Sequence, residues 1–492
     1  MCSYGRIISN IVQKRGFYMY QMLSSLIENI SNFMYSYLLI IMLLAVGLYF
    51  TIRTKFVQFR FLGEAIRLVT EKSNDKNSVS AFQALMVSTA SRVGTGNVVG
   101  VANAIAIGGY GAVFWMWVIA LIGGATAFVE STLAQVYKKR DKDGGCYGGP
   151  AYYIEAAIGG KRWLGIVFSI ALIATYAGGF NMLCSYNLIT SLSGYSFYGN
   201  PETSLVPLIC GGLLAVLVGI CIFGGGKRIV KVTGLMVPVM GISYIVIAII
   251  FMVLNIGLIP EVLKNIFVSA FDFNAIFGGF AGSALMQGIK RGLYSNEAGV
   301  GSAPNASAAA DVSHPAKQGM VQMLSVFIDT ILVCTATAMM CLSSGIVPSE
   351  NLTGAPFVQT ALATKFGNFG YYFITIALLL FAFTTLIGNL FYCDGCINYI
   401  ANRKADKKTM VIFRIVACLL IFVGALMDFG MVWNLADVLM GIMTIINLPI
   451  IMILGKTALA VLKDYSEQRK AGKDSKFKAV SVGLKGKTDF WN

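Results

Sequence analysis

Charge is scarce in this chain. Asp, Glu, Lys and Arg make up 12% of its 492 residues, about half the share of an ordinary soluble domain. Histidine is almost missing, with His314 the single copy. A membrane-embedded enzyme would need a nucleophile–base pair or metal ligands at similar depth, and no His/Cys/Asp cluster supplies them. The apolar–polar alternation of β-barrel strands is absent as well. What abounds is hydrophobic residue, 57% of the chain, in continuous runs of roughly 18 or more. Such runs specify an all-α polytopic membrane protein.

The formal net charge is +15. No basic patch with interleaved aromatics accompanies it, so no nucleic-acid partner is expected. The basic residues read instead as orientation signals and contacts to the lipid bilayer. Ten cysteines lie mostly within apolar runs, where they act as small hydrophobes. The CxxC at Cys393–Cys396 has no second pair and no histidine nearby, so no metal or redox role is assigned to it. His314 precedes Pro315 in a short loop and reads as a solvated residue. No cleavable signal peptide is evident. Residues 1–35 are mixed in character and read as an amphipathic surface segment, with Met19, Met22 and Met34 as alternative starts.

Eleven transmembrane helices are predicted, at 36–54, 80–107, 111–137, 162–190, 205–223, 231–254, 274–311, 317–345, 369–398, 410–427 and 432–455. At 1.5 Å per residue, a helix the length of 274–311 would span nearly twice a ~30 Å hydrocarbon core. It must therefore be broken, and 80–107 carries a break of its own. Counted with the helix ends that flank them, the connections after the odd-numbered helices hold 20 Lys and Arg, against two, Lys264 and Lys365, on the other side. That bias places the odd connections and the C-terminus in the cytoplasm and the N-terminus outside. Arg6, Lys14 and Arg15 oppose it, from near the limit of the rule's range. Two short helices, 260–271 and 353–366, are expected on the outer side, re-entrant or on the surface. The polar tail from about Lys463 reads as disordered or membrane-surface.

Set the leading helix aside and ten remain, in two sets of five. An odd number per set makes the second set inverted. The domains are then 1–35, 36–79 with the leading helix and a basic loop, repeats at 80–254 and 255–455, and a basic tail at 456–492. The first member of each repeat is the discontinuous one. Paired broken helices in inverted halves mark a transporter's substrate site.

In the first break, Arg92-Val93-Gly94-Thr95-Gly96-Asn97, glycines free the backbone from helical geometry, and the freed peptide groups must line a cavity rather than face lipid. The half-helix starting near Val98 offers its positive N-terminal end to a carboxylate. Carbonyls from Ala90 to Val93 suit a small cation such as Na⁺. The second break, Gln287 to Ser307, holds Gly288, Lys290, Arg291 and Glu297. Arg92, Arg291 and Glu297 are expected to form a buried ion cluster, either gating or architectural. In "FAFTTLIGN", Thr384 and Thr385 with the Phe381 carbonyl complete a cation site on oxygen ligands, unless the hydroxyls merely bond their own helix.

Together "STASRVGTGNVVGVANAI", "GGPAYYIE", "GIKRGLYSNEAGVGSAP" and "FAFTTLIGN" resemble the alanine/glycine:cation symporter family, itself similar to the leucine-transporter fold. The resemblance implies Na⁺-coupled, sometimes proton-coupled, uptake of a small neutral amino acid into the cell. It implies a sodium site at Ala90, Val93, Phe381, Thr384 and Thr385. The substrate carboxylate would meet amides around Gly94, Thr95 and Gly96, beside Asn97. Its amino group would meet carbonyls of the second break. No other cofactor and no obligate protein partner is implied. Two departures stand out. Family members selective for alanine carry Trp where this chain has Asn389 and Phe where it has Gln287. Both changes remove aromatic bulk and add an amide, which favours glutamine or another polar amino acid. A channel is the rival from a different class, and predicts passive current.

Overall fold

The computed structural model describes residues 19–71, 79–140, 145–201, 203–271, 283–349, 352–402 and 404–491. The chain is helical nearly throughout. In order run α1 (Met19–Arg53), α2 (Leu62–Val69), α3 (Ala81–Arg92), α4 (Val99–Gly108), α5 (Gly111–Val136) and α6 (Pro150–Ala157). Next come α7 (Trp163–Thr190), α8 (Val206–Ile222), α9 (Gly225–Leu254), α10 (Ile259–Ala270), α11 (Ala284–Asn296) and α12 (Pro304–Ala309). The last are α13 (Pro315–Leu342), α14 (Gly354–Phe366), α15 (Asn368–Ala401), α16 (Lys407–Gly424) and α17 (Phe429–Lys470). Two short antiparallel strands, β1 (Lys139–Arg140) and β2 (Cys146–Tyr147), interrupt the connection before α6.

Seven helices among the described residues are long and apolar enough to cross a bilayer: α1, α5, α7, α9, α13, α15 and α17. The flanks are apolar, unlike the surface of a soluble protein, and an apolar interior holds a set of buried charges. On α9, Leu235, Val239 and Ile242 are 72%, 61% and 65% exposed, while Arg92, Glu130, Lys290, Arg291, Glu297, Asp329 and Asp437 are all buried. Apolar flanks, with the few charges turned inward, are what lipid requires of a multi-pass bundle.

Small residues set the packing, since apolar attraction between helices is weak in lipid and close backbone approach takes its place. A side chain at Gly319 of α13 would lie 2.8 Å from the Phe128 carbonyl of α5. At Gly292 of α11 it would meet Ile119 at 2.5 Å, and at Gly388 of α15 the Ser91 amide at 2.9 Å. The helix α5 is thus a central post for α11 and α13, while α15 lies against the end of α3.

Two expectations are corrected at the ends of the chain. The helix containing the first span begins at Met19, not at 36, and passes through a π-helical turn at Met34–Leu38. Buried contacts hold it there: Lys290 Nζ donates to Ser31 Oγ at 2.9 Å and lies 5.2 Å from the Tyr35 ring. Residues 1–18, with Arg6, Lys14 and Arg15, lie outside the described residues, as do residues 274–282 of the predicted seventh helix.

The tail is ordered rather than loose. The helix α17 runs on to Lys470, and Phe477, Ala479, Leu484 and Trp491 are buried beyond it. Trp491 Nε1 donates to the Gln135 carbonyl at 2.7 Å, and Phe477 N donates to the Ser313 carbonyl at 3.0 Å. The Lys138 ammonium sits 4.0 Å from the Phe490 ring centroid and 4.9 Å from that of Trp491. Burial pushes that ammonium below its ordinary pKa. Cation–π contacts and a few aromatics overcome the tail's polar composition, a balance that average composition does not reveal.

His314 is corrected with the tail. It is fully buried, and it caps α13, its Nδ1 accepting from Ala316 N at 3.2 Å. Its Nε2 lies 3.0 Å from Asp464 Oδ2. Burial pulls the imidazole below its ordinary pKa, more than Asp464 raises it.

Candidate functional site

The first interruption follows from its residues. Ser80 opens α3 with a capping box to Gln83. The helix stops at Arg92, and Gly94 is extended, at φ −132° and ψ −159°. Thr95–Asn97 form a single 3₁₀ turn before α4 resumes at Val99. Asn97 holds the turn closed by accepting the Gly94 amide on Oδ1 at 2.9 Å. The amides of Thr95 and Gly96 open the turn, so neither has a partner within it.

The second interruption begins where Glu297 takes a left-handed conformation, φ 53°, at the end of α11. Gly299 and Gly301 follow at φ 94° and 86°, values that only glycine adopts without strain. The chain re-enters a helix at Pro304, the first position of α12. Glu130 of α5 anchors this segment. Its Oε2 accepts from Gly299 N at 3.1 Å and its Oε1 from Asn447 Nδ2. Asn447 Nδ2 also donates to the Gly299 carbonyl at 3.0 Å, and its Oδ1 accepts from Tyr153 at 2.6 Å.

The two interruptions meet. The Tyr294 ring occupies the space a side chain on Gly96 would need, and it packs at a tilt against Phe180 and Trp433, at 4.8 and 5.3 Å between centroids. On the other side, Thr385 Oγ1 donates to the Ala90 carbonyl at 2.9 Å and fills the space next to Gly94. Thr384 Oγ1 lies 3.1 Å from the Phe381 carbonyl and 2.9 Å from that of Leu380. Val93, which follows the last residue of α3, is buried. The Thr385–Ala90 bond and the contact with Gly94 thus bring α15 to the end of α3, while Thr384 bonds carbonyls of its own helix.

The remaining expected residues divide. Asn389 lies beside Ser91, taking its hydroxyl on Oδ1 at 2.5 Å and donating from Nδ2 to Asn181 Oδ1 at 2.9 Å. Asn181 Nδ2 has no hydrogen-bond partner among the described residues. Gln287 and Gly288 lie toward the opposite end of α11. Gln287 Cβ would sit 2.9 Å from a side chain on Gly108, and a side chain on Gly288 would meet Trp115 Cβ at 2.6 Å. Gly288 therefore serves helix packing against α5.

The expected cluster of Arg92, Arg291 and Glu297 is split. Arg291 forms a two-pronged pair with Asp437, at 3.2 Å for each prong, and lies 4.2 Å from the Trp433 ring. Lys290 joins the same carboxylate at 2.9 Å. Glu297 turns instead to Ser302 Oγ, at 2.6 Å. Arg92 donates to the Gln322 carbonyl at 3.3 Å, and its charge bears on Glu130, Glu297 and Asp329. Asp437 is the buried carboxylate within reach of Arg291, and the two-pronged pair compensates the burial of both charges.

Glu130, Asp329, Asp437 and Asn181 did not emerge from the sequence reading. Each of the three carboxylates is an isolated ionisable residue in an apolar run, and that alone marks a residue for attention in a membrane protein.

Comparison with known proteins agrees with this architecture. The model of the sodium:alanine symporter family matches residues 20–479. The amino-acid carrier protein AlsT of Bacillus subtilis (strain 168) is 46% identical over 94% of this chain and 96% of its own. The probable sodium/glutamine symporter GlnT of the same organism is 43% identical, over 93% and 94%. Among solved structures, MhsT in complex with L-phenylalanine superposes with a TM-score of 0.51 at 13% identity, covering 85% of this chain and 93% of that one. At that identity the likeness shows the fold alone, that of leucine-transporter-like proteins. The chain belongs to the sodium:alanine symporter family, and it is a multi-pass membrane transporter rather than an enzyme.

Proposed function

We propose that this protein is a sodium-coupled symporter that imports a small neutral amino acid by alternating access. In this reading eleven segments cross the membrane, a leading helix followed by a five-plus-five inverted repeat, with the N-terminus outside and the C-terminus in the cytoplasm. The observation that carries the reading is the meeting of Thr385 Oγ1, the Ala90 carbonyl and Gly94 at one point. There Na⁺ is held by the carbonyls of Ala90, Val93 and Phe381 and the hydroxyls of Thr384 and Thr385. The substrate carboxylate binds the amides of Thr95 and Gly96, at the positive end of α4. The adjacency of the two sites gives each ligand a reason to raise the other's affinity, by the same factor in both directions.

No covalent chemistry is required. One Na⁺ descending a tenfold gradient at 100 mV releases about 3.7 kcal/mol, enough for a few-hundred-fold amino-acid gradient. Binding of both ligands permits the bundle to rock about the fixed site.

A polar substrate is favoured within this class. Asn389 and Asn181 place two amides beside Ser91, one of them with a spare N–H, and such a group suits the side-chain carbonyl of glutamine. The resemblance to the probable sodium/glutamine symporter GlnT points the same way.

Uptake of a panel of labelled amino acids into proteoliposomes, with and without a Na⁺ gradient, tests the proposal. Glutamine or alanine uptake driven by Na⁺ is expected. Uptake that ignores Na⁺ and follows a pH gradient would replace Na⁺ with H⁺, and amino-acid-independent current would point to a channel.

A further inference from the structure

We propose that the Asp329 carboxylate is a positioning residue that locks the two interruptions together, through Asn97 on one side and Ser295 on the other. Its geometric part stands on contacts alone, and its functional part rests on the symport reading above.

Asp329 is fully buried and lies in a π-helical stretch of α13, Phe327–Cys334. Such stretches are rare and concentrate at functional sites. Its Oδ1 accepts from Asn97 Nδ2 at 2.6 Å. Its Oδ2 accepts from Ser295 Oγ at 2.5 Å and from Thr330 Oγ1 at 2.8 Å. Its two oxygens thus face one amide N–H and two hydroxyls.

The contacts on either side extend the lock. Because Nδ2 of Asn97 is turned to Asp329 and to Ser295 Oγ, at 3.0 Å, Oδ1 is turned to Gly94 N. Gly94 is the residue against Thr385 Oγ1. Ser295 stands two residues before the left-handed turn at Glu297 that ends α11. The same α13 also holds the Asn97 carbonyl through Thr337 Oγ1, at 2.7 Å. A single side chain from a third helix thus sets the amide orientation at the first break and the last turn before the second. Ligand binding at either break is transmitted to the other through it.

The test uses the full-length protein in liposomes and four forms: wild type, Asp329→Asn, Asn97→Asp and the reciprocal double variant. The double variant exchanges donor and acceptor, so an amide at 329 donates to a carboxylate at 97. Hydrogen–deuterium exchange at 93–98 and 295–303 is expected to rise in both single variants and to fall back in the double. Half-saturating Na⁺ and alanine should rise together by about tenfold in the singles and recover in the double. Ser295→Ala removes the Ser295 arm together with its direct bond to Asn97, leaves the Asp329–Asn97 bond, and serves where Asp329→Asn fails to fold; it should speed exchange at 295–303 and shift both half-saturation values upward. Unchanged exchange at 93–98 in Asp329→Asn, unchanged exchange at 295–303 in Ser295→Ala, or a double variant no better than the singles, overturns the lock. A wild type that takes up no amino acid but shows the exchange pattern overturns the symport reading and leaves the lock standing.

Discussion

At the scale of single residues, the two adjacent threonines of α15 are not equivalent. Thr385 reaches across to the Ala90 carbonyl of α3, whereas Thr384 bonds carbonyls of its own helix. A hydroxyl shared between helices holds geometry that a self-bonded one does not. Thr385→Val should therefore raise the half-saturating Na⁺ concentration by about tenfold, and Thr384→Val by less, in uptake measured across a Na⁺ series. Asn389→Trp should lower the preference for glutamine over alanine in a competition assay, because it replaces an amide bonded to Ser91 and Asn181 with apolar bulk. The motif containing both threonines was legible in the sequence. Their division of labour was not, since it depends on which face of α15 meets α3.

At the scale of elements, glycine has two distinct uses in this fold. Gly299 and Gly301 bend the chain through left-handed backbone conformations, whereas Gly288 and Gly319 let helices touch α5. The sequence marks Gly288 as part of the second break and a candidate substrate contact. In the structure it lies within α11 against Trp115 of α5. Gly288→Ala should thus lower thermal stability by about 1–3 kcal/mol through overpacking, with half-saturation values unchanged in the molecules that remain folded. Melting curves alongside uptake kinetics separate the two effects. The first break was legible in its glycines; the second was marked too widely, because Gln287 to Asn296, with Gly288, Lys290 and Arg291, stay in α11 and the chain leaves helical geometry only at Glu297. Their anchors were not legible. Glu130 lies far from the second break in sequence, and only packing brings it to Gly299.

At the scale of the whole molecule, the tail and α13 form one pH-sensitive assembly. Neutral His314 caps α13 through Nδ1 and faces Asp464 through Nε2, with Lys317 the nearby cation that further disfavours a protonated ring. Because burial lowers the imidazole pKa in the folded state, the unfolded or undocked chain binds the proton more readily. This contribution to stability is complete above the ordinary histidine value of ~6.5 and is lost as pH falls below it. Asp464, held low chiefly by its hydrogen bond to His314, acts in the same direction at lower pH. Exchange at residues 477–491 should therefore quicken as pH drops from 7 to 5, and His314→Gln should flatten that dependence. Trp491→Ala should loosen the same segment at neutral pH, by removing the bond to Gln135 and a face for Lys138.

The sequence by itself determined that the chain is a helical membrane protein, where its apolar segments lie, and that two of them are interrupted. Those properties follow from local composition, because lipid penalises every exposed peptide group and charge wherever it occurs. Tertiary structure alone decided the pairing of buried charges: Arg291 with Asp437, and Asp329 with Asn97 and Ser295. It also decided that a lysine-rich tail docks and that the single histidine is buried. Each of these outcomes depends on which distant group reaches a buried polar atom first and compensates its desolvation best, a competition among contacts that no local stretch of sequence contains.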